Sequence, residues 1–202
     1  MNKNLIEQIT KISLSMFRKN FFGVFHGSIS AKVEVNKFVI NKKDAIFDEI
    51  DKDSLIMLYH KRDYRWKDAS LDSSIHSNIY QNINDAKYIA YVLPPYTSAF
   101  ALKYDKICPK DYFGHVNFGE LPIYDPRDLE SWYERADVEI YRHMKECGTK
   151  VMIIRGYGVY VYDRDINQMA KTIAVIENSC RLLYLSKSLE SGIASSDNSY
   201  YI

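Results

Sequence analysis

The chain has only three cysteines, Cys108, Cys147 and Cys180, far apart and odd in number. They lack the paired spacing of a disulfide framework or a zinc knuckle, so reduced thiols in a cytoplasm are the expectation. An excess of charge of one sign is also missing. The 27 Lys and Arg stand against 26 Asp and Glu, a formal charge of +1, which offers no long-range attraction to nucleic acid or to an acidic membrane surface. No stretch reaches the roughly 18 apolar residues needed to span a bilayer. The opening MNKNLIEQITKISLSMFRKN lacks the unbroken apolar run and small-residue cleavage site of a signal peptide. A cytoplasmic protein without nucleic-acid or membrane partners is therefore expected. Glycines number only 8 beside 17 tyrosines, in a usage rich in Lys, Asn and Ile. That bias suits an AT-rich bacterial genome and names no mechanism.

What is present supports one ordinary domain. At 202 residues with 47% hydrophobic content, the chain can bury a substantial core without staples. Leu5, Ile9, Ile12 and Met16 recur at helical spacing and predict an amphipathic helix over roughly the first 17 residues. From Gly27 to Ile40 apolar and polar residues alternate around Asn36, as a half-buried hairpin would. Residues 44–60 join an acidic stretch to LIMLY, read as a short helix or turn feeding a third strand. After Ser70, the isoleucines 75, 79 and 83 predict a helix that places Asp72, His76 and Tyr80 on a neighbouring face.

KYIAYVLPP reads as a compact strand ended by two prolines, which cannot continue a ladder. A helix over Thr97 to Leu102 and a Gly-containing loop should follow. Pro126 and Asp128 then open a long helix to about Glu146, stopped by Gly148. VMIIRGYGVYVYD reads as two strands around a Gly-x-Gly turn, and Asp165 caps a last helix carrying Met169, Ile173, Ile176, Cys180 and Leu183. The expected fold is a single α/β domain over residues 1–190, three-layer α/β/α with a largely antiparallel central sheet. The Ser-rich residues 191–202 are expected to form a mobile tail.

Three segments, in order, resemble the class II aldolase/adducin family over most of residues 5 to 190. The family's metal strand reads His-x-His-Pro followed by a small-residue run. The same frame here is Tyr91-Val92-Leu93-Pro94-Pro95-Tyr96-Thr97-Ser98-Ala99-Phe100-Ala101. The family's later His-Gly dipeptide corresponds to Tyr157-Gly158, and its phosphate-binding Gly-Asn-x-Ser turn to Gly27-Ser28-Ile29-Ser30. Its acidic residue four positions before a helical histidine corresponds to Asp72 and His76, preceded by Ser70. A later turn matches Asn41 to Asp44, where Lys42 and Lys43 would meet an anion and Asp44 would repel it.

The resemblance implies a fold, a zinc site in typical relatives, a sugar-phosphate ligand and a homo-tetramer with sites at subunit boundaries. Zinc chemistry there needs three neutral imidazoles and an open coordination position, and Tyr91, Leu93 and Tyr157 supply no imidazole. No metal or other cofactor is therefore expected. Leucine has no lone pair, and tyrosine binds metal only as a phenolate, which would suit ferric iron better than zinc. The plainer reading has both rings filling the former metal cavity.

The leading functional reading is a pseudoenzyme, as the adducin head is: a member kept for binding a small anionic metabolite or for assembly. Ser28, Ser30 and Ser70 are its anion contacts, and His26 is a further candidate. The alternative is a sugar-phosphate lyase or epimerase with a rebuilt site, Asp72 as base and His76 or a tyrosine as acid. Beside these stand plainer roles: Asp72 as a helix cap, His76 as a bonded core residue, and Ser28 and Ser30 as hairpin residues.

Overall fold

The computed structural model describes residues 3–197, with side chains to residue 190. The amphipathic N-terminal segment forms α1 (Lys3–Arg18), with Ile9 and Met16 buried. The alternating stretch forms the hairpin β1 (Ser28–Glu34) and β2 (Lys37–Asn41), and turns then lead to β3 (Leu55–Tyr59). Ile75 and Ile79 bury one face of α2 (Ser73–Asn82), which precedes β4 (Tyr88–Val92).

Next, α3 spans Pro95–Lys103, starting two residues before the predicted Thr97. Proline suits the first helical position because its missing N–H would be unpaired there anyway. The free N–H groups of Tyr96 and Thr97 are taken by the buried carboxylate of Glu177, each at 2.9 Å. The predicted loop after α3 contains three elements: β5 (Lys106–Ile107), α4 (Tyr112–Phe118) and β6 (Leu121–Tyr124). α5 spans Trp132–Glu146 and starts later than Pro126 and Asp128 suggest. Asp128 instead closes its own turn by accepting from the N–H groups of Glu130 and Ser131. β7 (Val151–Ile154), β8 (Gly158–Asp163) and α6 (Ile166–Asp197) complete the chain. Asp165 caps α6 by accepting from the N–H groups of Asn167 and Gln168. α6 runs into the stretch read as a tail, and residues 198–202 lie outside the described residues.

Among the described residues, eight strands form one sheet in the order β3-β2-β1-β4-β8-β7-β6-β5. Only β6 and β7 are parallel; every other neighbouring pair is antiparallel. The sheet is covered on both faces, so its strands alternate between two cores. Ile29, Ala31, Val39, Ala90, Val92, Val159 and Val161 face Ile9 of α1, Ala101 of α3 and Met169, Ile173 and Ile176 of α6. Phe38, Ile40, Ile89, Met152 and Tyr160 face Ile75, Ile79, Trp132, Ala136 and Ile140 of α2 and α5. The three-layer α/β/α architecture with a mostly antiparallel sheet thus matches the sequence reading.

A buried polar tie fastens α2 to the sheet. Ser28 and Ser30, two residues apart, project from the same face of β1. Their hydroxyls lie 2.9 Å from Nε2 and 2.6 Å from Nδ1 of His76, so one ring nitrogen donates and the other accepts. Tyr80, one turn further along α2, places its hydroxyl 2.7 Å from that of Ser30. His76 is 0% exposed, and burial lowers its pKa to about 3.

Two outcomes follow. In the window from about 3 to the ordinary imidazole value of 6.5, the unfolded chain holds a proton that folded His76 refuses. Its contribution to stability should therefore be full above that window and fall on acidification, by up to about 1.4 kcal/mol per pH unit. Asp72, whose pKa is raised by burial, contributes the opposite slope above its unfolded value. Urea unfolding at a series of pH values, compared between wild type and His76→Gln, isolates the histidine part, and the variant should show the flatter dependence. Separately, Glu177→Ala strips the partners from the start of α3 and should cost about 2–3 kcal/mol in the same assay.

Candidate functional site

The first turns of α2 and α5 meet the ends of β1, β2 and β4 around a cleft of ≈ 340 Å³. His26 and Gly27 enter it just before β1. Gly27 has φ +120, and a Cβ there would lie 2.4 Å from the Phe22 ring and 3.1 Å from the Tyr91 carbonyl, so only glycine lets the chain pass so close to β4. Asn41 at the end of β2 accepts from the Ile29 N–H at 2.9 Å and donates to the Lys42 carbonyl at 3.1 Å. Its side chain thereby fixes the turn that carries Lys43 and Asp44 to the cleft wall. Ser70 holds the entry to α2: its hydroxyl accepts from the Asp72 N–H at 3.3 Å, and its carbonyl accepts from the Ser73 hydroxyl at 2.6 Å.

Asp72 occupies the position before α2 but makes no side-chain capping bond. Its carboxyl faces the hydroxyls of Ser28 and Tyr160 instead, and burial raises its pKa despite the relief those groups give. The Tyr160 hydroxyl is itself a buried polar atom without a bond of ordinary geometry.

Tyr91, Tyr157 and Tyr160 form a triangular cluster of near-parallel rings, with Tyr157 and Tyr160 themselves 6.4 Å apart. The Tyr91 ring centroid lies 5.0 Å from Tyr157 and 4.9 Å from Tyr160, with interplanar angles of 29° and 21°. The Tyr91 hydroxyl donates to the Tyr157 carbonyl at 2.7 Å. Below it, a Cβ at Gly158 would stand 2.6 Å from Tyr91 Cε2, so the glycine makes room for the ring. Burial first, then the Asp72 charge, raises the pKa of Tyr91, Tyr157 and Tyr160 well above the ordinary phenol value. These phenols remain protonated near neutral pH.

Of the residues singled out from sequence, Ser70, Asp72, Tyr91, His26, Lys43 and Asp44 come together at the cleft. Ser28, Ser30 and His76 do not line it; they face inward and bond to one another. The core reading of His76 and the β1 serines thus describes their geometry, whereas Asp72 departs from simple capping. Leu93 lies just past β4, half-buried, and donates its N–H to the Phe21 carbonyl at 2.8 Å. Tyr157 sits behind Tyr91. Sequence reasoning missed Tyr133, which lines the cleft from α5, and Tyr160. No local signal marks either, because each reaches Asp72 only through the packing of distant elements.

The residues at the zinc positions implied by the resemblance do not fit that ion. Two protonated phenols, one already bonded, and an alkyl chain provide no neutral nitrogen donor and no thiolate. Among the described residues, no group of three or more His, Cys, Asp or Glu is arranged to hold a metal ion, and no helix is long and apolar enough to cross a membrane.

Comparison with known proteins places this architecture. The family profile of the Class II Aldolase and Adducin N-terminal domain matches residues 7–184. The L-fuculose-1-phosphate aldolase of Thermus thermophilus superposes with a TM-score of 0.83 at 16% identity, covering 94% of this chain and 97% of that one. YgbL of Escherichia coli, described as a putative aldolase/epimerase/decarboxylase, gives 0.74 at 14% identity over 90% and 89% of the two chains. A sugar-phosphate aldolase of Thermotoga maritima gives 0.71 at 14% identity over 93% and 96%. No curated protein sequence matches the chain. With the profile spanning nearly the whole folded domain, the chain belongs to the class II aldolase and adducin N-terminal domain family.

Proposed function

We propose that this family member has a tyrosine cluster in place of the zinc site and binds a small anionic, sugar-phosphate-like metabolite in the Asp72 cleft without zinc aldolase chemistry. The observation that carries the reading is Tyr91: its ring fills the space over Gly158 and its hydroxyl is bonded to the Tyr157 carbonyl. A metal ion would have to displace both. The ligand class is supported by the family fold and by neighbours described as fuculose-phosphate and sugar-phosphate aldolases. Within the cleft, Lys43 and His26 give an anion a cationic and a hydrogen-bonding partner, and Ser70 stands beside them. Ser28 and Ser30 act indirectly, holding α2 in place through His76.

The competing reading, a rebuilt lyase or epimerase, keeps Asp72 as a base with a raised pKa. His76 gives it no acid, since both ring nitrogens are engaged away from the cleft. Cytoplasmic residence and assembly into a homo-tetramer belong to the same proposal, through the family resemblance.

Metal analysis of purified, tag-free protein should find no stoichiometric zinc. The combined substitution Tyr91→His, Leu93→His and Tyr157→His should introduce zinc binding, measured by a chelator-competition titration. Stoichiometric zinc in the wild type, with carbon–carbon bond cleavage of a sugar phosphate, would refute the proposal. Calorimetric titration with inorganic phosphate should show saturable binding, weakened about tenfold by Lys43→Ala, the loss of one charge-assisted contact.

A further inference from the structure

Two tyrosines line the cleft, and their hydroxyls differ in one respect. That of Tyr91 is bonded to the Tyr157 carbonyl. That of Tyr133 makes no hydrogen bond among the described residues, although Tyr133 is 46% exposed and borders the same space as Asp72. A phenol on a loosely held turn would signify little, but the backbone that carries this one is anchored. The adjacent Trp132 is buried in the α2–α5 core and meets Tyr157 edge-on at 5.9 Å. The Arg135 guanidinium lies 5.1 Å from the Trp132 ring and donates to the carbonyls of Pro126 and Asp128, pinning the turn before α5. α2 and α5 are further joined by Asn78, whose amide donates to the Asp137 carbonyl at 3.0 Å. Tyr133 and Asp72 are thus presented to the cleft by the adjoining first turns of two coupled helices.

We infer that Tyr133 is a specificity-determining residue of the cleft, acting with Asp72 to read a hydroxyl on the carbon skeleton of a small phosphorylated polyol or ketose. The inference rests on the anion-binding reading above and adds to it the part of the ligand that is not phosphate. A hydroxyl is both donor and acceptor, and a phenol beside a carboxyl offers it both partners. The volume of ≈ 340 Å³ is near the lower end for small-molecule sites, which favours a skeleton of a few carbons. Burial and the Asp72 charge both raise the pKa of Tyr133, so its hydroxyl keeps its proton near neutral pH. Where a bound ligand covers the pair and excludes water, the site discriminates against an analogue lacking the hydroxyl, because its own polar groups are then left unpaired.

Isothermal titration with three probes tests this: glycerol 3-phosphate, n-propyl phosphate, which has the same carbon chain without hydroxyls, and inorganic phosphate. Wild type should bind glycerol 3-phosphate about tenfold more tightly than either of the others, the ratio expected of one or two added hydrogen bonds. Tyr133→Phe, which removes only the hydroxyl, should bring that preference to within about twofold while leaving inorganic phosphate binding unchanged. Asp72→Asn should reduce the same preference independently. Lys43→Ala should weaken all three probes together. A Tyr133→Phe protein that keeps the full preference, or a wild type that shows none, would overturn the inference while leaving anion binding intact. Failure of all three probes to bind wild type would overturn the anion reading and this inference with it.

Discussion

Three register partners run across the middle of the sheet: Ser28 of β1 opposite Tyr91 of β4, and Tyr91 opposite Tyr160 of β8. Because side chains alternate along each strand, this pairing puts all three on the face that α2 and α5 cover. A slip of one residue in either ladder would turn the tyrosines toward the α1–α6 core and remove the hydroxyl that His76 needs. The position of α2 follows from that row, since His76 bridges Ser28 and Ser30. The position of Asp72 follows from α2, and the cleft from Asp72. Gly27 and Gly158 are the backbone conditions for the row, as a side chain at either would collide with Phe22 or with Tyr91.

Electrostatics within the row favour neutral side chains. A metal-centred cluster gathers anionic or lone-pair ligands because the ion's charge offsets their desolvation. Here burial is the largest influence, and it raises the pKa of Asp72 and the neighbouring phenols together. The neutral forms are the ones that burial favours, and the packed rings fill the space with apolar surface, the Tyr91 hydroxyl being satisfied by the Tyr157 carbonyl. A single histidine introduced at one of these positions would face phenols or Leu93 and no second imidazole. The zinc test therefore changes all three positions at once.

How much was legible in the sequence depended on the range of the forces involved. α1, the β1–β2 hairpin, α2 and the β7–β8 pair carry their periodicity and turn residues locally, and they emerged from pattern alone. β5 has two residues, β6 contains Pro122, and α4 leaves Tyr112, Phe113 and Val116 exposed. None of these offers a periodic apolar face, so the stretch read as a loop. The start of α3 depends on Glu177, about 80 residues away, and no local signal announces such a cap. His60 has the sequence of an ordinary loop residue, yet it is held by the Ser77 hydroxyl at 2.8 Å and stacks on Phe38 at 5.4 Å. The site divided in the same way. Asp72 and Tyr91 lay in recognisable frames, whereas the inward turn of Ser28 and Ser30 depends on which face α2 covers, and Tyr133 on where α5 begins.

The late start of α5 also determines what the cleft can become. Had the helix begun at Pro126, Tyr133 would have fallen outside its first turn. Instead Asp128 and Arg135 hold residues 126–131 as a separate turn, and Trp132 anchors the first helical residue in the core. Trp132 contributes volume to one side of the Tyr157 ring while Tyr91 covers another. The anchor that completes the aromatic packing thus also sets the neighbouring phenol beside Asp72. Filling the space over Gly158 and setting polar groups around the cleft are two results of one packing arrangement.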